Sequence, residues 1–206
     1  LCLSGDPISV GDEPDARPAN DVTVLDVVRS VRRLREEGVS QAGVEISDPP
    51  RFLIAVADVP LAAPYDPARL DEKLDAGADL VFTQIAYDTE ALTAWADAAR
   101  ARGVFERASV LVGLAPLRSV TGARFMDERL PGVRVPPAII DALEAAGDDA
   151  ATVGLDITVE VLREIRKIEG ISGVHLMGMG HDDTVRAVVD AAGLFPRPTG
   201  ALSPRG

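Results

Sequence analysis

A single cysteine stands among 206 residues, so no disulfide can close within the chain. Cys2 lies in an apolar run, where an inert buried thiol in a reducing compartment is expected. Histidine is almost as scarce. His175 and His181 are the only two, too few for a three-histidine zinc site, and Cys2 is distant from both, so no metal centre is expected. No apolar stretch approaches the roughly 20 residues that span a bilayer, and no charged segment followed by an apolar one opens the chain. Neither a membrane span nor a secretory leader is therefore expected, and a cytoplasmic location fits. Basic residues are outnumbered 21 to 33, for a net charge of -12. With a pI near 4.6 the chain lacks the basic field that gripping nucleic acid or an anionic membrane would require.

What is present suffices for one core: 47% hydrophobic against 26% charged residues is ordinary for a folded domain. A single domain over 1–206 is expected, with 197–206 as a frayed tail. The most informative stretch is Ala76 to Asp88, where the apolar run Leu80-Val81-Phe82 ends abruptly in Thr83-Gln84 before an aspartate able to cap a helix. It reads as a buried strand that delivers Gln84 to a site. In βα units, the residues just past a strand's carboxyl end face ligands.

The same unit recurs along the chain. Leu1 to Leu3 reads as a strand end that leaves through the turn Ser4-Gly5-Asp6-Pro7, and Gly11 to Asn20 reads as loop. Asn20 or Asp21 can cap a helix carrying Val24, Leu25, Val28, Val31 and Leu34, whose charged run from Arg29 to Glu37 reads as a solvated face closed by Gly38. Phe52 to Ala57 reads as a doubly buried strand, after a possible hairpin arm at Val44 to Ile46. Helices are expected around Leu70 and Leu74, from Asp88 or Thr89 to near Gly103, around Gly122 to Glu128, over Ile139 to Ala145, Ala150 to Ile168 and Asp182 to Ala192. Strands are expected at Ser109 to Leu114 and Gly173 to Met177. Strands joined by helical crossovers give a parallel α/β sheet, doubly wound or closed into a barrel, and periodicity does not choose between them. About five strand candidates are visible against the eight of a (β/α)₈ barrel, and the chain begins inside a strand-like pattern without Met, so it reads as amino-terminally truncated.

Leu1 to Pro7 and Ala76 to Asp88, with Asp66, Lys73, Gly113 to Pro116, Pro131 to Pro136 and Gly173-Val174-His175, resemble the methylenetetrahydrofolate reductase family in order and spacing. The resemblance covers nearly the whole chain. It implies a (β/α)₈ TIM barrel of which these are the fourth to eighth βα units, and FAD-dependent reduction of 5,10-methylenetetrahydrofolate to 5-methyltetrahydrofolate with NADH or NADPH. It also implies a homo-oligomer or partner subunit. Asp6 becomes the catalytic carboxylate beside the flavin, where a fixed anion can stabilise a folate iminium cation. Gln84 becomes the substrate-binding amide, both donor and acceptor, and Ser4, Gly5, Asp6, Ala57, Asp66 and Lys73 surround the cofactor. A glutamate on the family's first strand, outside this sequence, would be the general acid.

Three places depart from the better-known members. Ser4 replaces an arginine, Ala57-Asp58-Val59-Pro60 replaces a Tyr-Pro-Glu motif, and Met177 to His181 replaces a Tyr-Thr-Leu-Asn type loop. Ser4 and Ala57 keep open a flavin-poor or non-catalytic folate-binding or assembly subunit, and, apart from the family, a buried Asp and Gln also suit another pterin-binding barrel such as a methyltransferase component.

Overall fold

The computed structural model of the protein describes residues 1–3 and 21–195. Ser4, Gly5, Asp6 and the tail expected over 197–206 lie outside the described residues. The first helix, α1 (Val24–Glu37), is capped by Thr23 rather than by Asn20 or Asp21. The Thr23 hydroxyl accepts the Asp26 N–H at 3.2 Å while the Asp26 carboxylate accepts the Thr23 N–H at 3.0 Å, a reciprocal capping box. Gly38 closes the helix in the left-handed region, at φ 66°.

Four strands follow: β1 (Ala55–Asp58), β2 (Leu80–Ile85), β3 (Ser109–Leu114) and β4 (Ile171–Leu176), all parallel and in chain order across the sheet. Cys2 bridges Val56 in parallel, its N–H reaching the Ala55 carbonyl at 2.8 Å, which sets the first residues beside β1 as the next member. Neighbours in chain order, each joined through helices, are consecutive units of a barrel wall. A doubly wound sheet would reverse strand order at a switch point, and among the described residues none occurs.

β1 begins three residues later than the apolar run suggests. The Arg35 guanidinium takes the Phe52 carbonyl at 3.2 Å and the Asp79 carboxylate takes the Ile54 N–H at 2.8 Å, so side chains hold backbone groups that a longer ladder would have used. Phe52 and Leu53 consequently face solvent. Arg35 also pairs directly with Asp79, so the charged face of α1 is not wholly solvated: one of its arginines ties the helix to the start of β2. The expected arm at Val44 to Ile46 is a single antiparallel bridge, Val39 to Glu45.

The helices cover one face of the sheet. Val56, Val81, Val110, Val112 and Leu114 point into that layer and are fully buried, against Leu70 and Leu74 of α2 (Ala68–Ala76), Leu92 and Trp95 of α3 (Thr89–Ala101), and Leu162 and Ile165 of α7 (Ala150–Ile165). Burying each leucine contributes about 1.5–3 kcal/mol. On the opposite face Leu80, Phe82, Gln84, Leu111 and His175 alternate with them and stay half-buried. A one-turn helix, α4 (Val104–Arg107), leads into β3, and α5 (Val120–Arg129), α6 (Pro137–Ala146) and α7 fill the crossover to β4, with α8 (Asp182–Ala191) last.

Candidate functional site at the carboxyl rim

Because the strands are parallel, Ala57, Gln84, Leu114 and Met177 all emerge on one rim, Met177 N–H donating to the Leu114 carbonyl at 2.9 Å. At the end of β1, Asp58 is only 5% exposed and accepts the Tyr65 hydroxyl at 3.0 Å. Burial raises its carboxyl above the usual 3.8, opposed by the Tyr65 hydrogen bond, the nearby Lys73 charge and the Val59 N–H. Burial likewise raises the Tyr65 phenol, and the Asp58 charge adds to that. Lys73, on α2, donates to the Ala57 carbonyl at 2.7 Å; burial lowers its pKa and the Asp58 carboxylate works against that shift. Asp58 and Tyr65 were not legible as site residues. The aspartate reads as the first loop residue, and only its place directly after a buried run hinted at more.

Asp66 sits at the start of α2, exposed, with its carboxylate accepting the Ala68 N–H at 3.1 Å and lying 3.6 Å from Arg69. It faces solvent two turns from Lys73. Ala57, half-buried, offers the rim a carbonyl but no ring.

At the end of β2 the ladder to β3 slips between Phe82 and Ile85. Thr83 organises the slip: its hydroxyl donates to the Gln84 carbonyl at 2.8 Å and accepts the Gly113 N–H at 3.0 Å. Such irregularities re-aim a side chain at a sheet end. The Gln84 amide is partly engaged, Nε2 donating to the Pro131 carbonyl at 3.2 Å and Oε1 accepting the Ile85 N–H at 3.0 Å, which leaves one N–H and one lone pair. On the same face Phe82 and His175 meet edge to face with ring centroids 4.9 Å apart.

A cleft of about 240 Å³ opens between the loop after β3 and the loop after β4. Ala115, Pro116, Phe125, Met126 and Met179 give it an apolar body, while Arg118, Ser119 and His181 stand at its polar parts. Two buried hydroxyls hold the loop after β3 from behind. Tyr87 donates to the Ala115 carbonyl at 2.7 Å, and its phenol, raised by burial, stays protonated. Thr158 of α7, wholly buried, accepts the Leu117 N–H at 3.0 Å while donating to the Gly154 carbonyl at 2.7 Å. A larger depression of about 420 Å³ lies between the β1–α2 loop and α3, around Tyr65, Trp95, Arg102 and Arg134. Its lining runs from Pro60 and Leu61, just past β1, to α3, so it opens beside the Tyr65–Asp58 pair. Among the described residues no group of three His, Cys, Asp or Glu is placed to hold a metal.

Parallel neighbours in chain order, with the polar and titratable groups gathered at one carboxyl rim, define the class: an α/β protein of barrel type. Within that class, the family model of methylenetetrahydrofolate reductase matches residues 1–193, and the chain belongs to that family. It is 27% identical to Methylenetetrahydrofolate reductase 1 of Schizosaccharomyces pombe over 95% of this chain and 31% of that protein. It is also 27% identical to Probable methylenetetrahydrofolate reductase (NADH) of Oryza sativa, over 95% of this chain and 33% of that protein. Against Probable methylenetetrahydrofolate reductase (NADPH) of Caenorhabditis elegans the figures are 24% identity, 90% and 27%. The chain thus spans about a third of the length of the curated relatives it matches.

Proposed function

We propose that this chain works within a reductase that converts 5,10-methylenetetrahydrofolate to 5-methyltetrahydrofolate at the expense of NADH or NADPH. In that reaction a proton opens the methylene bridge to an iminium cation, and a hydride turns its carbon into a methyl group. The observation that carries the reading is the gathering of Gln84 and the cleft beside Ala115 and Met179 at one rim, in a chain of this family. An apolar cleft with Arg118 at its mouth suits a flat ring system with an anionic tail. Gln84 keeps a free donor and acceptor for a pterin edge. Asp6, outside the described residues, is assigned the charge that stabilises the cation.

FAD, when bound, would carry the two electrons between the pyridine nucleotide and the folate. Lys73 gives one of three donors to Ala57 and keeps two for a phosphate, while the solvent-open Asp66 carboxylate would accept from hydroxyls of the ribityl or adenosine portion. Ala57 would border the rest of the cofactor, to which Ser4 and Gly5, outside the described residues, are also assigned. The second reading, a folate-binding subunit with little flavin, is favoured by one observation: Lys73 is already held by the Ala57 carbonyl beside a buried carboxylate.

We place the protein in the cytoplasm, as a homo-oligomer or with a partner subunit; among the described residues no helix is long and apolar enough to cross a membrane. The full-length protein tests the reading. A yellow preparation that oxidises a reduced pyridine nucleotide only when the folate is supplied supports the reductase. A colourless one that binds folate without turnover selects the second reading, and one that binds neither flavin nor folate overturns both.

A further inference from the structure

The loop that leaves β3 forms one wall of the rim cleft, yet its conformation is set from behind, by side chains that do not line the cleft. Pro116 has no N–H, so the peptides at Ala115 and Leu117 carry the polar anchoring of the turn. The Ala115 carbonyl goes to the Tyr87 hydroxyl and the Leu117 N–H to the Thr158 hydroxyl, all four groups buried. Thr158 cannot swing away freely, because its own proton is held by the Gly154 carbonyl one turn back. α7 also touches the loop through its backbone: a β-carbon on Gly154 would stand 2.4 Å from the Leu117 carbonyl oxygen. Tyr87 reaches toward the other wall as well, with Met126 sulfur 3.5 Å from its hydroxyl, and Met126 does line the cleft.

We propose that Thr158 and Tyr87 are positioning residues that fix the Ala115 to Ser119 loop, and through it set the affinity of the rim cleft for folate. The inference rests on the reading above that folate occupies this cleft. The two hydroxyls clamp successive peptides, one from the segment after β2 and one from α7, so the cleft wall is preformed before any ligand arrives. Preorganisation of this kind lowers the ordering cost of binding.

The test uses the full-length protein and three variants, Thr158→Val, Thr158→Ser and Tyr87→Phe, each with two measurements. Amide hydrogen exchange reads the loop, and equilibrium titration with 5-methyltetrahydrofolate reads the cleft. Removing one buried hydrogen bond should speed exchange at Leu117 by roughly tenfold in Thr158→Val, with Thr158→Ser close to wild type. The folate Kd should weaken by a similar, roughly tenfold, factor in Thr158→Val and in Tyr87→Phe, and be restored in Thr158→Ser. Unchanged exchange in both Thr158→Val and Tyr87→Phe overturns the clamp. A loosened loop with unchanged folate affinity overturns its link to the cleft and leaves both residues as packing groups. If Thr158→Val does not fold, Tyr87→Phe, which keeps the ring, carries the same two comparisons. Failure of the wild-type protein to bind folate strikes the proposed function instead, while exchange still decides whether the hydroxyls hold the loop.

Discussion

Gly113 and Thr83 approach so closely that a β-carbon on Gly113 would stand 2.5 Å from the Thr83 carbonyl oxygen. The obstacle is backbone, which cannot rotate aside. Glycine at this point of β3 is therefore the condition for the slip that turns Gln84 toward the rim.

Gly113→Ala is expected to cost about 1–3 kcal/mol, the range for forcing a methyl group into a filled site. Gly173→Ala on β4 serves as its control, because that methyl group would meet only the end of the Leu111 side chain, at 3.2 Å, and should cost well under half as much. Urea denaturation of the two variants checks the contrast. Equal midpoints would remove the argument that β3 needs glycine to accommodate β2.

Asp58 gives a pH dependence with a definite sign. Burial raises its folded-state pKa above the usual 3.8, so the native protein keeps this proton over a range where the unfolded chain has lost it. Wild-type stability therefore loses a contribution as pH rises from about 3.8 through the raised folded value, and the loss is constant above it. Asp58→Asn keeps an acceptor for Tyr65 but has no proton to lose. The stability difference between the variant and wild type should move in favour of Asn across that window, as read from denaturation midpoints at a series of pH values. A difference that is flat with pH would mean that Asp58 titrates normally.

The Arg35–Asp79 pair joins α1 to β2, and the same carboxylate holds the Ile54 N–H. Asp79→Ala should cost about 1–2 kcal/mol, less than a fully buried charge-assisted bond because the Asp79 side chain is 34% exposed. Arg35→Met removes the pair and the Phe52 contact but leaves the Ile54 N–H its acceptor, so adding Asp79→Ala to Arg35→Met should still cost stability. If that second step costs nothing in denaturant midpoint, the backbone contact contributes nothing.

If Asp6 carries the charge proposed above, Asp6→Asn in the full-length protein should slow reduction of the folate by about one to three orders of magnitude, the effect of one preorganised charge at a developing cation. Oxidation of the pyridine nucleotide involves no such cation and should suffer less. Stopped-flow measurement of the two half-reactions separates them. Equal slowing of both would make Asp6 a support of the cofactor, and no slowing of either would make it a turn residue.

The strand and helix sequence was legible because each βα unit carries its own punctuation. The apolar run before Gln84, the aspartate that caps α3 and Gly38 after α1 all act locally. What escaped depends on partners distant in sequence. β1 starts late because Arg35 and Asp79 occupy its backbone; Tyr65 becomes a site residue only because the loop folds it onto Asp58; and Thr158 looks like any residue of an amphipathic helix until α7 meets the loop after β3. Gly113 was the one such feature with a signal, a lone glycine inside a strand. Charge and periodicity also could not choose between an open and a closed sheet, since both bury strands in the same way, and strand order was needed to separate them.

The lone thiol makes the first residues observable on their own. Cys2 is 8% exposed and its N–H is bonded to the Ala55 carbonyl, so detachment of that segment from β1 would bare the thiol to a labelling reagent. With no second cysteine among these 206 residues, the rate of Cys2 modification in native buffer reports the opening of that segment. Comparing it with global unfolding would tell whether this segment breathes independently or melts only with the whole. The same trace, repeated with folate or flavin present, would register whether a ligand stiffens the segment that the Cys2–Val56 bridge joins to β1.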